Sequence, residues 1–348
     1  MATNILDTFN GDAFNIVALT AAIQDVPHTP NLLGSLGLFH AEGITTTDAA
    51  IEVEDGTLTV IPTSPRGSAP AQATGTRRKV RKVETAHIAK ESVIYADQVQ
   101  NVRAFGTSAP QNLEALVMAR VNGPFGLRAQ IELTHEYHRL GAIDGVVLDA
   151  DGVTELHDWY SFFGETRPAT VDVDFGAFTA DGSEFETECT GLVRAITKEL
   201  GGLVLTNMQP VALCGDNFFD KVFGNKEVKA ARKNRDTGKD GDVFGASKAF
   251  QRVTYGGIAW ANYRGTDDGK VAVPTDEARL FPAGVPGLFQ THFAPADTWD
   301  AVNTPGLPIY LLQRRERQTE SARVFEAQSN PLHLCIKPKA LRRLRIKP

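Results

Sequence analysis

RLGAIDGVVLDADG, residues 139–152, ends a long helical pattern and runs through an apolar strand, Val146-Val147-Leu148, onto Asp149, Asp151 and Gly152. Two readings compete for that ending. A strand that stops on paired carboxylates can offer a nucleophile and an acid/base to a substrate. The same tetrapeptide also suits a tight turn between VVLDADG and the following VTELHD. Gly takes the positive φ such turns need, and Asp bonds its own backbone. The turn is the expected reading.

Upstream, Leu113, Leu116, Val117 and Val121 recur at helical spacing, and Leu127, Ile131, Leu133, Tyr137 and Leu140 continue the stripe. Ser108 and Gln111 form a capping box with Pro110 in the first turn, and Gly141 is the expected C-cap. Gly123-Pro124-Phe125-Gly126 interrupts the pattern, which predicts two helices or one sharp kink. His135 and His138 flank Glu136 with no third ligand in the spacing, so they are expected to be surface or packing histidines.

The totals bound the class. A chain of 348 residues with 42% hydrophobic and 22% charged content is globular and long enough for two or more linked units. A net charge of -6 implies no general affinity for nucleic acid. Cys189, Cys214 and Cys335 lie too far apart for a zinc site or a disulfide framework and are expected as reduced, buried thiols. The N-terminus lacks a secretory pattern and no apolar run approaches the ~20 residues of a membrane span, so a soluble, cytoplasmically made protein is expected.

At the N-terminus, Phe14, Val17, Ala18, Ala21 and Ala22 mark one face of a short helix ended by Pro27 and Pro30. A helix this short needs a surface to pack on. IEVE, Asp55-Gly56 and TLTVIP read as a hairpin over 51–62. A long polar loop containing Arg66 then leads into a basic, strand-like return: Arg77, Arg78, Lys79, Arg81 and Lys82 around Val80 and Val83. Such a run is either a solvated face or a contact for an anionic partner, and without interleaved aromatics it does not indicate base stacking. Downstream, Ser183 and Glu186 cap a helix with Phe185, Cys189, Leu192, Val193, Ile196 and Leu200 inward, closed by Gly201-Gly202. VALC at 211–214 reads as a buried strand, Phe218/Phe219 as a short helix, and 225–235 as a basic helix. Tyr255 to Tyr263 is expected as β-structure with a Gly256-Gly257 turn, and 322–336 as a strand.

An enzymatic alternative rests on a second motif. Leu213 to Asp220, LCGDNFFD, is similar to the strand and GDxxxD motif of haloacid-dehalogenase-type phosphatases. That likeness implies Asp149 as nucleophile, Asp151 as acid/base, Lys198 on the phosphate and Asp216 with Asp220 on Mg²⁺. Against it, VTELHDWYSFFGE follows the first motif where a helix is required, and residues 1–140 and 222–348 are left without a role.

Several blocks in order resemble lambda-type phage major capsid proteins, the phage capsid protein E family. They are Phe14 to Ala22 with LGSLGLF at 33–39, PTSPRG at 62–67, VRAFG at 102–106 and RLGAIDGVVLDADG itself. ALCGDNFFD at 212–220, YGGIAWANYRG at 255–265, the long 278–310 block and QSNPLHLC at 328–335 complete the series. The resemblance implies an α+β, Hong Kong 97-type capsid fold. Its parts would be an N-terminal arm (1–50), an E-loop region (51–100), a peripheral domain with a spine helix (101–178), an axial domain (179–310) and a C-terminal return to the peripheral domain (311–348). A spine is usually continuous, so the Gly123-Pro124 break departs from the pattern. The implied function is structural and without catalytic residues, cofactor or metal: self-assembly as hexamers and pentamers into an icosahedral shell around phage DNA. Implied partners are other copies, a scaffold or assembly protease, a portal and a decoration protein, with no membrane and no sequence-specific DNA contact. The implied location is the virion, after synthesis in the bacterial cytoplasm. Arg66, Arg77, Arg78, Lys79, Arg81 and Lys82 are the expected inter-subunit contacts.

Overall fold

The computed structural model describes residues 32–55, 77–96, 113–123, 126–178, 182–201, 208–234, 252–263, 265–266, 269–315 and 322–348. In chain order the elements begin α1 (Leu32–Ser35), β1 (His40–Gly43), β2 (Asp48–Asp55), β3 (Arg77–Glu84) and β4 (Ile88–Tyr95). Next come α2 (Leu113–Asn122), α3 (Leu127–Asp144), β5 (Val146–Leu148), β6 (Glu155–Asp158), α4 (Trp159–Phe163) and β7 (Val171–Val173). Then follow α5 (Glu184–Leu200), β8 (Gln209–Cys214), α6 (Asp216–Gly224), α7 (Lys226–Asn234), β9 (Arg252–Tyr255) and β10 (Ile258–Asn262). The chain finishes with β11 (Glu277–Ala283), β12 (Phe289–Phe293), β13 (Tyr310–Arg315), β14 (Ala322–Ser329), β15 (Pro331–Cys335) and β16 (Arg342–Ile346).

The largest core surrounds a mixed six-stranded sheet of order β7-β16-β11-β8-β10-β9. β8 is buried through Val211, Ala212, Leu213 and Cys214, as expected of a strand covered on both faces. Phe185, Cys189, Leu192, Ile196 and Leu200 of α5 supply the helical face of this core. Ser183 is the N-cap residue of α5, but its side chain makes no capping bond. The Glu227 carboxylate on α7 does that work, accepting from the N–H groups of Phe185 at 3.2 Å and Glu186 at 3.3 Å. A charged acceptor makes the stronger cap, which is why a distant Glu displaces the local Ser. β9 and β10 form the expected hairpin across Gly256-Gly257.

A second core packs α2 and α3 on β4 and β14, through Val117, Val121, Leu127 and Ile131 against Ile94, Phe325 and Ala327. The two helices are separate, as the Gly-Pro break requires. Two expectations on α3 fail. Leu133 is 41% exposed rather than inward. The helix also runs past Gly141 to Asp144, and Gly145 is the left-handed C-cap at φ 86°. Gly141 serves a different need: a Cβ there would sit 2.8 Å from the Val146 carbonyl oxygen, so β5 can fold back on the helix only over a glycine.

β1 joins β12 and β15 in a third sheet, and the β2–β3 ribbon lays Ala49, Ile51 and Val83 on Trp159, Leu332 and Leu334. Among the described residues β2 pairs with β3, in register from Asp48↔Glu84 to Asp55↔Arg77. The TLTVIP half of the expected hairpin, the arm helix at Phe14–Ala22, the capping box at Ser108 and Gln111, and Arg66 lie outside the described residues. The segment expected as one strand over 322–336 is two strands meeting at Asn330. The Asn330 amide donates to the Pro295 carbonyl at 2.7 Å and its oxygen bonds His87 at 2.8 Å, pinning the corner. The last strand, β16, lies between β7 and β11 in the six-stranded sheet rather than with β13 and β14.

Candidate assembly surfaces

The decisive aspartates cap a hairpin turn. β5 and β6 pair antiparallel, and the turn between them closes with Gly152 N–H donating to the Asp149 carbonyl at 2.9 Å. Gly152 has φ 73°, which only glycine takes at low cost. The Asp151 carboxylate accepts from the Val153 and Thr154 N–H groups, each at 2.8 Å, and from the Thr154 hydroxyl at 2.5 Å. Those bonds, the hydroxyl's first, hold its carboxyl below the usual aspartate range. Asp216 begins α6 at the end of β8, accepting from the Asn262 amide at 2.9 Å, and Asp220 follows one turn later. Lys198 sits exposed on α5. The residues of the phosphatase reading are thus spread over a hairpin tip, a sheet end and a helix surface. Among the described residues no three His, Cys, Asp or Glu side chains are grouped to hold a metal.

The histidines are interior. His135 bonds the Ser329 hydroxyl at 2.9 Å and His333 the Thr291 hydroxyl at 2.7 Å, while the His135 and His138 rings lie 5.6 and 6.3 Å from the His333 ring. Burial pushes His138 down to about 4, His157 pushes the same way and Asp149 opposes. Burial holds His333 well below the ordinary histidine value, with the neighbouring His135, Arg139, His138 and His157 adding to it. These packed rings lock α3 onto β15. A cavity of about 290 Å³ lies against the same helix, lined by Leu33, Phe39, Arg128, Glu132, Arg139 and Ile309. Its charged walls are internally paired, Arg128 to Glu132 at 2.6 Å.

Sequence reasoning missed the anchor at the end of α3. Asp144 receives Arg279 from β11 and Arg167 from the loop after α4, each at 2.7 Å, and also Arg343 from β16. Arg279 reaches Glu277 as well, at 2.7 Å. One aspartate thereby ties the long helix to the six-stranded sheet. Its only sequence trace is the Asp of LGAIDG, indistinguishable there from any helix-terminal acid.

The basic strand is formed. In β3, Arg77 and Arg78 stand in register with Asp55 and Glu54 of β2, and Lys79, Arg81 and Lys82 with Val53, Ile51 and Ala50. The faces differ. Arg81 turns inward and its guanidinium stacks 5.6 Å from the Phe162 ring centroid. Val80 and Lys82 face outward, Val80 at 58% exposure. The other surface that sequence did not single out is the turn at Trp299–Ala301, which carries Trp299 at 93% exposure. No described helix is long and apolar enough to cross a membrane.

The profile of phage major capsid protein E matches residues 15–346. The major capsid protein of Salmonella phage Felix O1 (isolate Felix O1-VT1) is 24% identical over 94% of this chain and 95% of its own length. That of Pseudomonas phage KPP10 shows the same identity and coverage. Among solved structures, a prophage protein of E. coli CFT073 superposes with TM-score 0.56 at 13% identity, covering 95% of this chain and 99% of its own. The mature capsid of bacteriophage PhiM1 gives 0.51 at 12% identity, covering 92% and 89%. The fold is the α+β, Hong Kong 97-type capsid fold, and the chain belongs to the phage major capsid protein E family, a structural protein of the virion rather than an enzyme.

Proposed function

We propose that copies of this chain assemble as hexamers and pentamers into an icosahedral head shell that encloses phage DNA. The family match across residues 15–346 carries this reading. A ring of identical subunits meeting head-to-tail closes when its rotation does, and closed rings tile a shell. On this reading residues 1–50 are the arm, 51–100 the E-loop region, 101–178 the peripheral domain with its spine helix, 179–310 the axial domain and 311–348 the return. The position of β16 beside β11 favours counting the last strand with the axial sheet. The chain is made in the host cytoplasm and works with a scaffold or assembly protease, a portal and a decoration protein. It holds DNA by enclosure, with neither cofactor nor metal.

Arg66, Arg77, Arg78, Lys79 and Lys82 form the contact to acidic surface on a neighbouring copy, and Arg81, expected among them, is left out because its guanidinium turns inward onto Phe162. The exposure of Lys82 on the outer face of β3 supports this, while Arg77 and Arg78 stand opposite Asp55 and Glu54 of their own ribbon. Arg78→Glu with Lys82→Glu should abolish particles seen by negative-stain microscopy while the circular dichroism of the soluble chain stays unchanged. Particles of ordinary size from the double variant would refute the assignment.

A further inference from the structure

The buried histidines are concentrated at one joint. His135 and His138 come from α3, His333 from β15 and His157 from β6. The His333 ring is the hub, lying 5.6 Å from His135, 6.3 Å from His138 and 5.7 Å from Phe39. Its Nδ1 bonds the Thr291 hydroxyl of β12, while its Nε2 is buried without a hydrogen-bond partner among the described residues. His157 stacks on Trp159 at 5.3 Å, and its Nε2 is likewise buried and unpartnered.

Nothing facing the hub welcomes a proton. Arg139, His135, His138 and His157 all oppose a positive charge on His333. Asp149, at the β5–β6 tip, works the other way on His138. The remaining carboxylates of α3 are engaged elsewhere. Glu136 accepts from the Leu33 and Gly34 N–H groups and the Tyr263 hydroxyl and pairs with Arg139, and Glu132 pairs with Arg128. His292 of β12 bonds Gln290 and answers to Glu42 and His40 of β1. A proton added to a buried ring with no acceptor before it leaves an uncompensated charge, which the chain relieves by letting water in.

The joint also supports a second layer. Leu332 and Leu334, on the face of β15 opposite His333, pack with Ala49, Ile51 and Val83 of the β2–β3 ribbon and with Trp159. By contrast, the six strands β7, β16, β11, β8, β10 and β9 and the helices α5, α6 and α7 contain no histidine. Mild acid therefore loads the joint and spares that core. The geometry points to an acid-operated joint: protonation of the cluster of His135, His138, His157 and His333 parts α3 from β15 and frees the β2–β3 ribbon while the six-stranded core stays folded. The device belongs to the single chain and does not depend on the shell-building role.

Hydrogen exchange of the full chain at pH 7.5 and pH 5, read by mass spectrometry and corrected for the intrinsic pH dependence of amide exchange, separates joint from core. Segments 77–84, 135–148 and 331–335 should lose protection by roughly tenfold or more at pH 5. Segments 209–214, 258–262 and 277–283 should keep theirs, and returning to pH 7.5 should restore the rest. His333→Asn, whose amide can take the place of Nδ1 but gains no proton, should lose less protection at pH 5. His138→Gln tests the same point from α3 should the first variant not fold. Equal loss in the six-stranded core, no loss anywhere, or loss confined to residues 32–36 beside Glu136 would overturn the joint. So would a wild-type loss that the folded variants reproduce in full. Particle formation at pH 7.5 is untouched by any of these outcomes, so the two readings fail separately.

Discussion

Buried histidines give this protein a pH dependence to which His138 and His333 contribute together with His157 and His292, all lowered by burial. Each is held neutral in the folded chain, His138 down at about 4. A histidine whose folded value lies below its unfolded one binds fewer protons when folded. Its stabilising contribution is therefore complete above the unfolded value of about 6.5 and is lost as pH falls from there towards the folded value. For His138 alone the loss across that window is on the order of 3 kcal/mol. Urea midpoints between pH 7.5 and 4 should fall for the wild type and fall less for His138→Gln; equal slopes would remove His138 from the account. Asp149 offers the opposite case, since its place is a turn that asparagine also suits. Asp149→Asn should leave particle yield within about twofold of wild type by light scattering, and loss of particles would show that the hairpin tip does more than turn the chain. Gly152 and the Asp151 cap were legible from four letters because both needs are local. Trp299 was not, since a tryptophan amid Pro and Gly looks the same buried or exposed.

At the scale of elements, α3 is the beam that joins the cores, and Asp144 is its bolt. Removing that carboxylate leaves Arg279, only 8% exposed, paired with Glu277. Asp144→Ala should therefore cost about 2 kcal/mol, between the values for surface and fully buried pairs, read as a lowered urea midpoint. A change under about 0.5 kcal/mol would place the tie elsewhere. Periodicity exposed both helices α2 and α3, the break between them and the inward face of α5. It misled at Gly141, where the reason for glycine is a strand folded back from outside the helix. It misled again at Ser183, where Glu227 reaches in from another helix to cap. Pairing was the least legible feature: β2 finds β3 across an intervening segment of 21 residues, and β16 enters a sheet begun far upstream.

At the scale of the molecule, the phosphatase motifs show how local patterns mislead when global placement decides. Asp149, Asp151, Asp216, Asp220 and Lys198 have the right letters in the right order, yet the fold sets them on different elements, a hairpin turn, α6 and α5, with no grouping of three metal-ligating side chains among the described residues. The capsid reading survived because ordered blocks spanning the whole chain constrain the fold more than two short motifs can, and the family match covers the same span. Once the cores are filled, the outer face of β3 and the Trp299 turn remain exposed. The direct measurement is the particle mass of the purified full chain by multi-angle light scattering, with negative-stain images of the same sample before and after Arg78→Glu with Lys82→Glu. The wild type should give closed megadalton shells and the variant folded subunits of 37.7 kDa or their small oligomers. A wild type that stays monomeric at every concentration would contradict the account, as would a variant that builds the same shells.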